Sequence, residues 1–225
     1  WEVRERCDYG VRAGTLDQCL DWAAEHDARP VFISDSGDNP TAGGVADLNL
    51  ALAGLIDRRE TDVLYAGISD STAIELIRAA GEGADVSLTL GGRFAPEFAP
   101  PLPVEGRVLL FREDPGPPYD TGALALLRVG DVDIIVTDHR CSFTDLDEFN
   151  LLDIDSTRYR VVVVKLGYLF SELREIASLG LLALTPGTVA LDLSTLTFNR
   201  VQRPMFPLDT DFSWAPPAPG QTGSY

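Results

Sequence analysis

Residues 31–47, VFISDSGDNPTAGGVAD, join a short apolar run to a turn that contains three carboxylates, an amide and two adjacent glycines. The apolar run predicts a β-strand over Val31–Ser34, and the segment Ala46–Arg59 has the apolar spacing of a helix. A strand, a glycine-rich turn and a helix in this order are typical of parallel α/β sheets, which bind ligands at the carboxyl ends of their strands. The turn is therefore the first candidate for a functional site.

The first third of the chain repeats this alternation of helices and strands. Apolar spacing predicts helices over Thr15–Glu25, with Thr15 as its cap, and over Ser69–Ala80, with Asp70 or Ser71 as its cap. A strand is predicted over Asp62–Ala66 between them. Strands separated by helices of this length form right-handed crossovers, so this portion predicts a parallel βαβ sheet.

The middle of the chain favours antiparallel strands instead. The pair Gly130-Asp131 is a hairpin turn signal. Strands are predicted over Val86–Leu90, Val104–Phe111, Ala125–Val129 and Val132–Thr137.

The strongest β-forming run, Arg160–Lys165, predicts a strand in the middle of the sheet. A helix over Tyr168–Leu179 and a short strand over Leu181–Leu184 are predicted to follow it. The whole pattern predicts an α/β fold with a mixed sheet, which combines a parallel βαβ N-terminal portion with an antiparallel hairpin region and carries helices packed on it.

Composition restricts the partners and the location of the protein. Thirty-five acidic and 18 basic residues give a formal charge of −17, which repels phosphate groups and predicts no nucleic acid and no anionic membrane as partner. No run approaches the roughly 18 apolar residues of a membrane helix, and the first residues resemble neither a signal nor a transit peptide, so we expect a cytoplasmic protein. Three cysteines without CxxC spacing and two histidines predict reduced thiols and no self-contained zinc site.

The chemistry of the acidic turn stays open at this level. It carries no lysine of a phosphate-binding loop and matches neither common glycine-rich phosphate motif. Its carboxylates suit three tasks, namely capping the next helix, holding a cation or ammonium group, or orienting a metal-bound histidine. Purely structural roles fit too, since Asp38 could form a turn with the following Asn39-Pro40, Asp47 could offset a helix dipole, and Gly43-Gly44 could supply positive φ angles.

Several motifs in order resemble one known family. The signature DNPTAGGVAD at 38–47 is similar to the loop of the C-terminal domain of the microcystinase C (MlrC)-like family of metallopeptidases. Further similar segments are GGR at 91–93, LRVG at 127–130 with VDIIVT at 132–137, TPG at 185–187 and RPMFPLD at 203–209. The resemblance covers about residues 15–211 of the chain.

The resemblance implies a hydrolase whose catalytic zinc is held by an Asp and His residues of a preceding N-terminal domain. This chain would then line the substrate cleft, hold no metal and be inactive alone, and its own catalytic residues stay unknown. The expected partners are that zinc-binding domain and a peptide or amide small molecule, with self-association through the exposed docking face. Residues expected to contact the substrate or support such contacts are Asp35, Asp38, Asn39, Gly43, Gly44, Asp47, Arg93, Lys165 and Tyr168.

The resemblance has two departures. Ala46 stands where many members have glycine, and Leu169 stands where many have histidine, which alters substrate contacts or removes an acid/base group. Residues 15–210 are interpreted as the C-terminal domain, 1–14 as a remnant of the preceding domain or a linker, and 211–225 as a flexible tail.

Other candidates keep two interpretations each. His139 with Cys141 could bind a metal, although the resemblance places no zinc there. Lys165 could reach an anionic group of a ligand or pair with Asp35 or Asp38. A non-catalytic α/β module that binds a small molecule or a partner is the alternative to the hydrolase.

Overall fold

A nine-stranded mixed sheet forms the centre of residues 9–215, the part of the chain that the computed structural model describes. The strands are, in chain order, β1 (Arg12–Gly14), β2 (Val31–Asp35), β3 (Val63–Ser69), β4 (Asp85–Leu90), β5 (Leu102–Arg112), β6 (Leu124–Val129), β7 (Val132–Thr137), β8 (Val161–Val164) and β9 (Leu179–Ala183). Their order in the sheet is β1-β9-β2-β8-β3-β7-β6-β5-β4. The first six of these run parallel, and the pairs from β7 to β4 are antiparallel, which confirms the predicted mixed α/β sheet.

Five helices cover the two faces of this sheet in residues 9–215. They are α1 (Leu16–Ala24), α2 (Leu50–Asp57), α3 (Ser71–Ala80), α4 (Leu146–Asn150) and α5 (Ser171–Ile176). Buried residues of α1, α2 and α3 join one apolar cluster, while those of α4 and α5 join another. Because successive strand side chains point to opposite faces, Ile33 belongs to the first cluster and its neighbour Phe32 to the second. Burial on both faces explains why the parallel strands are continuous apolar runs.

The local signals at two helix starts act as predicted. Thr15 caps α1 and forms a capping box with Gln18. Asp70 caps α3 by accepting a hydrogen bond from the backbone of Ala73. Strand β8 lies between the parallel strands β2 and β3, in agreement with the central position predicted for it.

Two predicted helices are shorter in the structure. Helix α2 begins at Leu50 rather than at Ala46, because Ala46 has a left-handed φ of 65° that a helix cannot contain. Helix α5 covers only Ser171–Ile176, since the chain from Leu179 pairs with its neighbours in the sheet.

Two short elements were not predicted from the sequence. Strand β1 pairs with β9 at the edge of the sheet, within the residues predicted to be a remnant or linker. Helix α4 begins with a capping box at Asp145 and Glu148. Residues 211–215 of the predicted tail have no regular structure, and the rest of the tail lies outside the described residues. None of the helices within residues 9–215 has the length and apolar character needed to span a bilayer.

Candidate functional site

The strand-to-helix connection at residues 36–49, which we call the β2–α2 loop, follows the carboxyl end of β2. It contains two turns of 3₁₀ helix, Ser36–Asp38 and Pro40–Ala42. Gly43 ends the second turn with φ of 99°, a conformation that favours glycine. At Gly44 a Cβ atom would lie 2.7 Å from the backbone nitrogen of Asn39, so the close approach of the chain also requires glycine. Both glycines therefore shape the loop.

Asp38 is the central acceptor inside this loop. Its Oδ1 accepts a hydrogen bond from the backbone N–H of Ala46 at 2.8 Å, and its Oδ2 accepts one from Leu48 at 2.8 Å. The residue is 1% exposed. These bonds bring the end of the loop back onto its beginning, which is why residues 46–49 do not continue as a helix.

Lys165, directly after β8, supplies the positive charge beneath the loop. Its Nζ lies 3.0 Å from Asp38 Oδ2 and 3.6 Å from Asp35 Oδ2, and it donates a 2.6 Å hydrogen bond to the carbonyl oxygen of Leu48. Burial by itself lowers the pKa of this ammonium group, but the interactions with Tyr65, Asp35 and Asp38 outweigh it and raise the pKa above its ordinary value. The alternative in which Lys165 pairs with both aspartates is the one observed.

Asp35 and Asn39 also use their side chains within the protein. Asp35 Oδ1 accepts a short hydrogen bond from the hydroxyl of Thr185, and that hydroxyl accepts one from the backbone of Gly37. Asn39 Oδ1 accepts hydrogen bonds from the backbone and the hydroxyl of Thr41 at 2.9 and 2.7 Å. The turn predicted for Asp38 is thus formed by Asn39.

Asp47 connects the β2–α2 loop to the segment after β4. Its Oδ2 accepts hydrogen bonds from the backbone N–H groups of Arg93 and Phe94 at 2.7 and 2.9 Å. Its Oδ1 is buried and has no hydrogen-bond partner among residues 9–215. Gly92 donates a 2.7 Å hydrogen bond to the Asp47 carbonyl oxygen. Asp47 therefore positions the Arg93 backbone rather than offsetting the dipole of α2.

Arg93 and Arg140 approach the same side of the loop. Arg93 Nε lies 3.3 Å from both carboxylate oxygens of the buried Asp70. Arg140 Nη1 donates hydrogen bonds to the carbonyl oxygens of Pro40 at 2.8 Å and Gly44 at 3.2 Å. Each guanidinium group is thus held at one of its nitrogen atoms.

A cavity of about 330 Å³, which we call the arginine cavity, opens between these elements. It lies where β3 and β7 end, beside the β2–α2 loop, as expected for the carboxyl edge of a parallel sheet. Residues that line it include Val45, Asp70, Arg93, Phe94, Asp138 and Arg140.

The predicted site residues divide into three groups in the structure. Asp35, Asp38 and Lys165 form a buried ionic cluster, and Asn39, Gly43, Gly44 and Asp47 shape the loop around it. Arg93 alone among the predicted residues lines the arginine cavity. Tyr168 is 65% exposed and stacks on Phe170, with ring centroids 5.3 Å apart, outside that lining.

Sequence reasoning missed Arg140 and Phe94 as cavity residues. Arg140 follows β7 by three positions, so the rule that ligands bind at the carboxyl ends of parallel strands could have identified it. Phe94 follows the recognised Gly91-Gly92-Arg93 segment directly, yet an exposed aromatic residue has no pattern that sets it apart.

No metal centre is formed by the residues that the structure describes. Within 9–215, no group of three or more His, Cys, Asp or Glu side chains is placed to hold an ion. His139 Nδ1 lies 3.0 Å from Asp120 Oδ1, and this hydrogen bond raises the pKa of the imidazole above its ordinary value of 6.5. The residues present therefore do not fit a zinc ion.

Comparisons with known proteins identify a family by sequence and a similar fold by structure. A family model described as "MlrC C-terminus" matches residues 33–200. The sequence is 33% identical over 144 residues to "Microcystinase C" of Sphingomonas sp., a match that covers 61% of this chain and 28% of that protein. A crystal structure named "Putative metallopeptidase", from Mesorhizobium sp. BNC1, has a similar fold with a TM-score of 0.74 at 22% identity. That likeness covers 96% of this chain and 44% of the other. The chain thus spans less than half the length of these two proteins.

Proposed function

Because the chain belongs to the MlrC C-terminus family, we propose that it is the C-terminal part of a metal-dependent hydrolase that cleaves amide or peptide bonds. The names of the two similar proteins, a microcystinase and a metallopeptidase, support this class of reaction. We propose zinc as the metal and a peptide or amide small molecule as the substrate.

The arginine cavity is the observation that carries the proposed role of this chain. The β2–α2 loop, which bears the family signature, contributes Val45 to the cavity wall, and Arg140 bonds to two carbonyl oxygens of the same loop. The buried ions beneath the loop fix its backbone, so the wall is formed before a ligand arrives. Preorganised walls of this kind orient a substrate relative to the reacting groups.

Residues 9–215 bring together no group of three or more His, Cys, Asp or Glu side chains for an ion, which supports a metal site outside them. We propose that an N-terminal zinc-binding domain of the same protein packs against this chain and completes the cleft. A zinc ion bound there would activate water and polarise the carbonyl group of the substrate. The role of the present chain is to bind and orient the substrate. Cytoplasmic location and self-association stay predictions.

Steady-state hydrolysis by the natural, longer protein loaded with zinc tests this proposal. The substitution Val45→Trp would place a large ring in the arginine cavity, and we expect it to lower kcat/KM for an amide substrate by about tenfold or more, because misplaced substrates lose orientation. The zinc content should stay unchanged. The matched control is Val11→Trp, which changes an exposed valine of the described chain that does not line the cavity.

Two outcomes would contradict the proposal. The first is an unchanged kcat/KM in a Val45→Trp variant whose circular dichroism spectrum shows a native fold. The second is a longer protein that binds zinc yet hydrolyses no member of a panel of amides and short peptides.

A further inference from the structure

We propose that the arginine cavity binds a carboxylate group, which Arg140 and Arg93 recognise together. That this carboxylate belongs to the substrate rests on the proposed function. The binding itself needs neither metal nor hydrolysis.

The charge state of Arg140 is the first argument. The chain carries an excess of 17 negative charges, and most of its described arginines form ion pairs with aspartate or glutamate. Within residues 9–215, Arg140 forms hydrogen bonds only with the carbonyl oxygens of Pro40 and Gly44 and no ion pair with a carboxylate. Its guanidinium group therefore lines the cavity without a direct carboxylate partner among the described residues.

The geometry of both guanidinium groups is the second argument. Each is fixed at one nitrogen, Arg140 through Nη1 and Arg93 through Nε. The other N–H groups of these two side chains have no acceptor among residues 9–215. Planar guanidinium donors that are already oriented match the two oxygens of a carboxylate.

The remaining lining restricts the rest of the ligand. Val45 and Phe94 contribute apolar surface, and the volume of about 330 Å³ accommodates a ring-sized fragment. Asp138 also lines the cavity and adds a negative charge, which favours a ligand with a hydrogen-bond donor beside its carboxylate. An N-acyl amino acid combines an apolar group, an amide N–H and a carboxylate, so we infer this class of ligand.

Two small probes separate the charge from the shape of the ligand. Hippurate carries a ring, an amide N–H and a carboxylate, whereas methyl hippurate has a neutral methyl ester in place of the carboxylate. In NMR titrations of the 225-residue chain at low salt, we expect saturable chemical-shift changes with hippurate. Methyl hippurate should bind at least about tenfold more weakly, because the free energy of a hydrogen bond to a charged group corresponds to such a change in affinity.

Substitutions then assign the preference to the arginines. Arg140→Gln and Arg93→Gln should each lower the affinity for hippurate by about tenfold or more while the affinity for methyl hippurate changes little. The control Arg107→Gln removes an exposed arginine, paired with Asp85, outside the cavity lining and should keep the preference.

A second pair of variants keeps the test decisive if either arginine variant fails to fold. Phe94 is 74% exposed, so Phe94→Asp and Phe94→Asn differ in charge at the cavity without disturbing a buried side chain. Phe94→Asp should abolish the preference for hippurate, whereas Phe94→Asn should retain it. Three results would overturn the proposal. The unmodified chain could bind both probes equally, or show no saturable binding of hippurate up to about 20 mM. Phe94→Asp and Phe94→Asn could also show the same preference. Amide hydrolysis by the longer protein could still occur with any of these results, so the two proposals fail independently.

Discussion

Replacing Lys165 with methionine should strongly destabilise the protein, because it removes the buried ammonium group beneath the β2–α2 loop. Methionine fills a similar volume, so the change removes the charge and its hydrogen bonds rather than the packing. The Lys165, Asp35 and Asp38 side chains are 1%, 5% and 1% exposed, so solvent cannot replace the lost partner.

The structure sets the expected magnitude. Nζ of Lys165 lies 3.0 Å from Asp38 Oδ2 and bonds to the Leu48 carbonyl oxygen at 2.6 Å. Removing one member of a buried ion pair leaves an uncompensated charge and costs about 3–5 kcal/mol. For a chain of this size each kcal/mol lowers Tm by about 2–4 °C, so we expect a decrease of about 6–20 °C.

Urea unfolding followed by circular dichroism measures this loss. The control is Arg107→Met, because the ion pair of Arg107 with Asp85 is exposed on both sides and should contribute little. The double variant Lys165→Met with Asp35→Asn should be more stable than Lys165→Met alone, since it removes one of the orphaned charges while the amide oxygen can still accept the hydrogen bond from Thr185. A free energy of unfolding for Lys165→Met within about 1 kcal/mol of the Arg107→Met value would refute the reasoning.

Three further predictions concern Asp47, Asp120 and Ala46. Asp47→Ala should lower the free energy of unfolding by about 1–3 kcal/mol, because two partly buried backbone N–H groups, those of Arg93 and Phe94, lose their acceptor. An unchanged urea midpoint would contradict this. Asp120→Asn should lower the pKa of His139 towards 6.5 in an NMR titration, because the hydrogen bond to Asp120 raises it in the folded chain. The stabilisation from this pair should therefore be present below pH 6.5 and disappear as the pH rises through the folded pKa. An identical titration of His139 in the Asp120→Asn variant and in the unmodified protein would exclude the His139–Asp120 pair. Ala46→Gly should raise the free energy of unfolding by about 0.5–1 kcal/mol, since the strain relieved at the left-handed φ exceeds the stabilisation lost with one buried methyl group. A free energy of unfolding below that of the unmodified protein would show that burial of the methyl group dominates.

Most of the fold could be predicted because its signals are local. Apolar runs mark the strands, Thr15 and Asp70 cap their helices as the sequence indicates, and Gly130 forms the turn between β6 and β7. The start of α2 could not be predicted, because contacts distant in sequence hold residues 46–49 outside the helix. Asp38 binds two of their N–H groups, and Asn49 donates to the carbonyl oxygens of Leu90, at the end of β4, and of Pro100.

The position of the β2–α2 loop in the sheet could be predicted, whereas the directions of its side chains could not, and the site residues stay predictions. The rule for parallel sheets places the β2–α2 loop at the ligand-binding edge, where the arginine cavity lies. A sequence does not show which way a carboxylate turns, and Asp38 and Asp47 turn inward to backbone N–H groups. Arg140, which has no carboxylate partner among residues 9–215, lies nearly 100 residues from the loop in sequence, and the pairing of β3 with β7 brings it there.

The zinc content of two purified proteins tests the central claim most directly. One is the 225-residue chain, and the other is a longer protein in which the proposed N-terminal zinc-binding domain precedes it. After equal exposure to zinc and removal of free metal, elemental analysis should find about one zinc per molecule in the longer protein and far less than one in the 225-residue chain. Stoichiometric zinc in the 225-residue chain alone, or none in the longer protein, would contradict the assignment of the metal to a neighbouring domain.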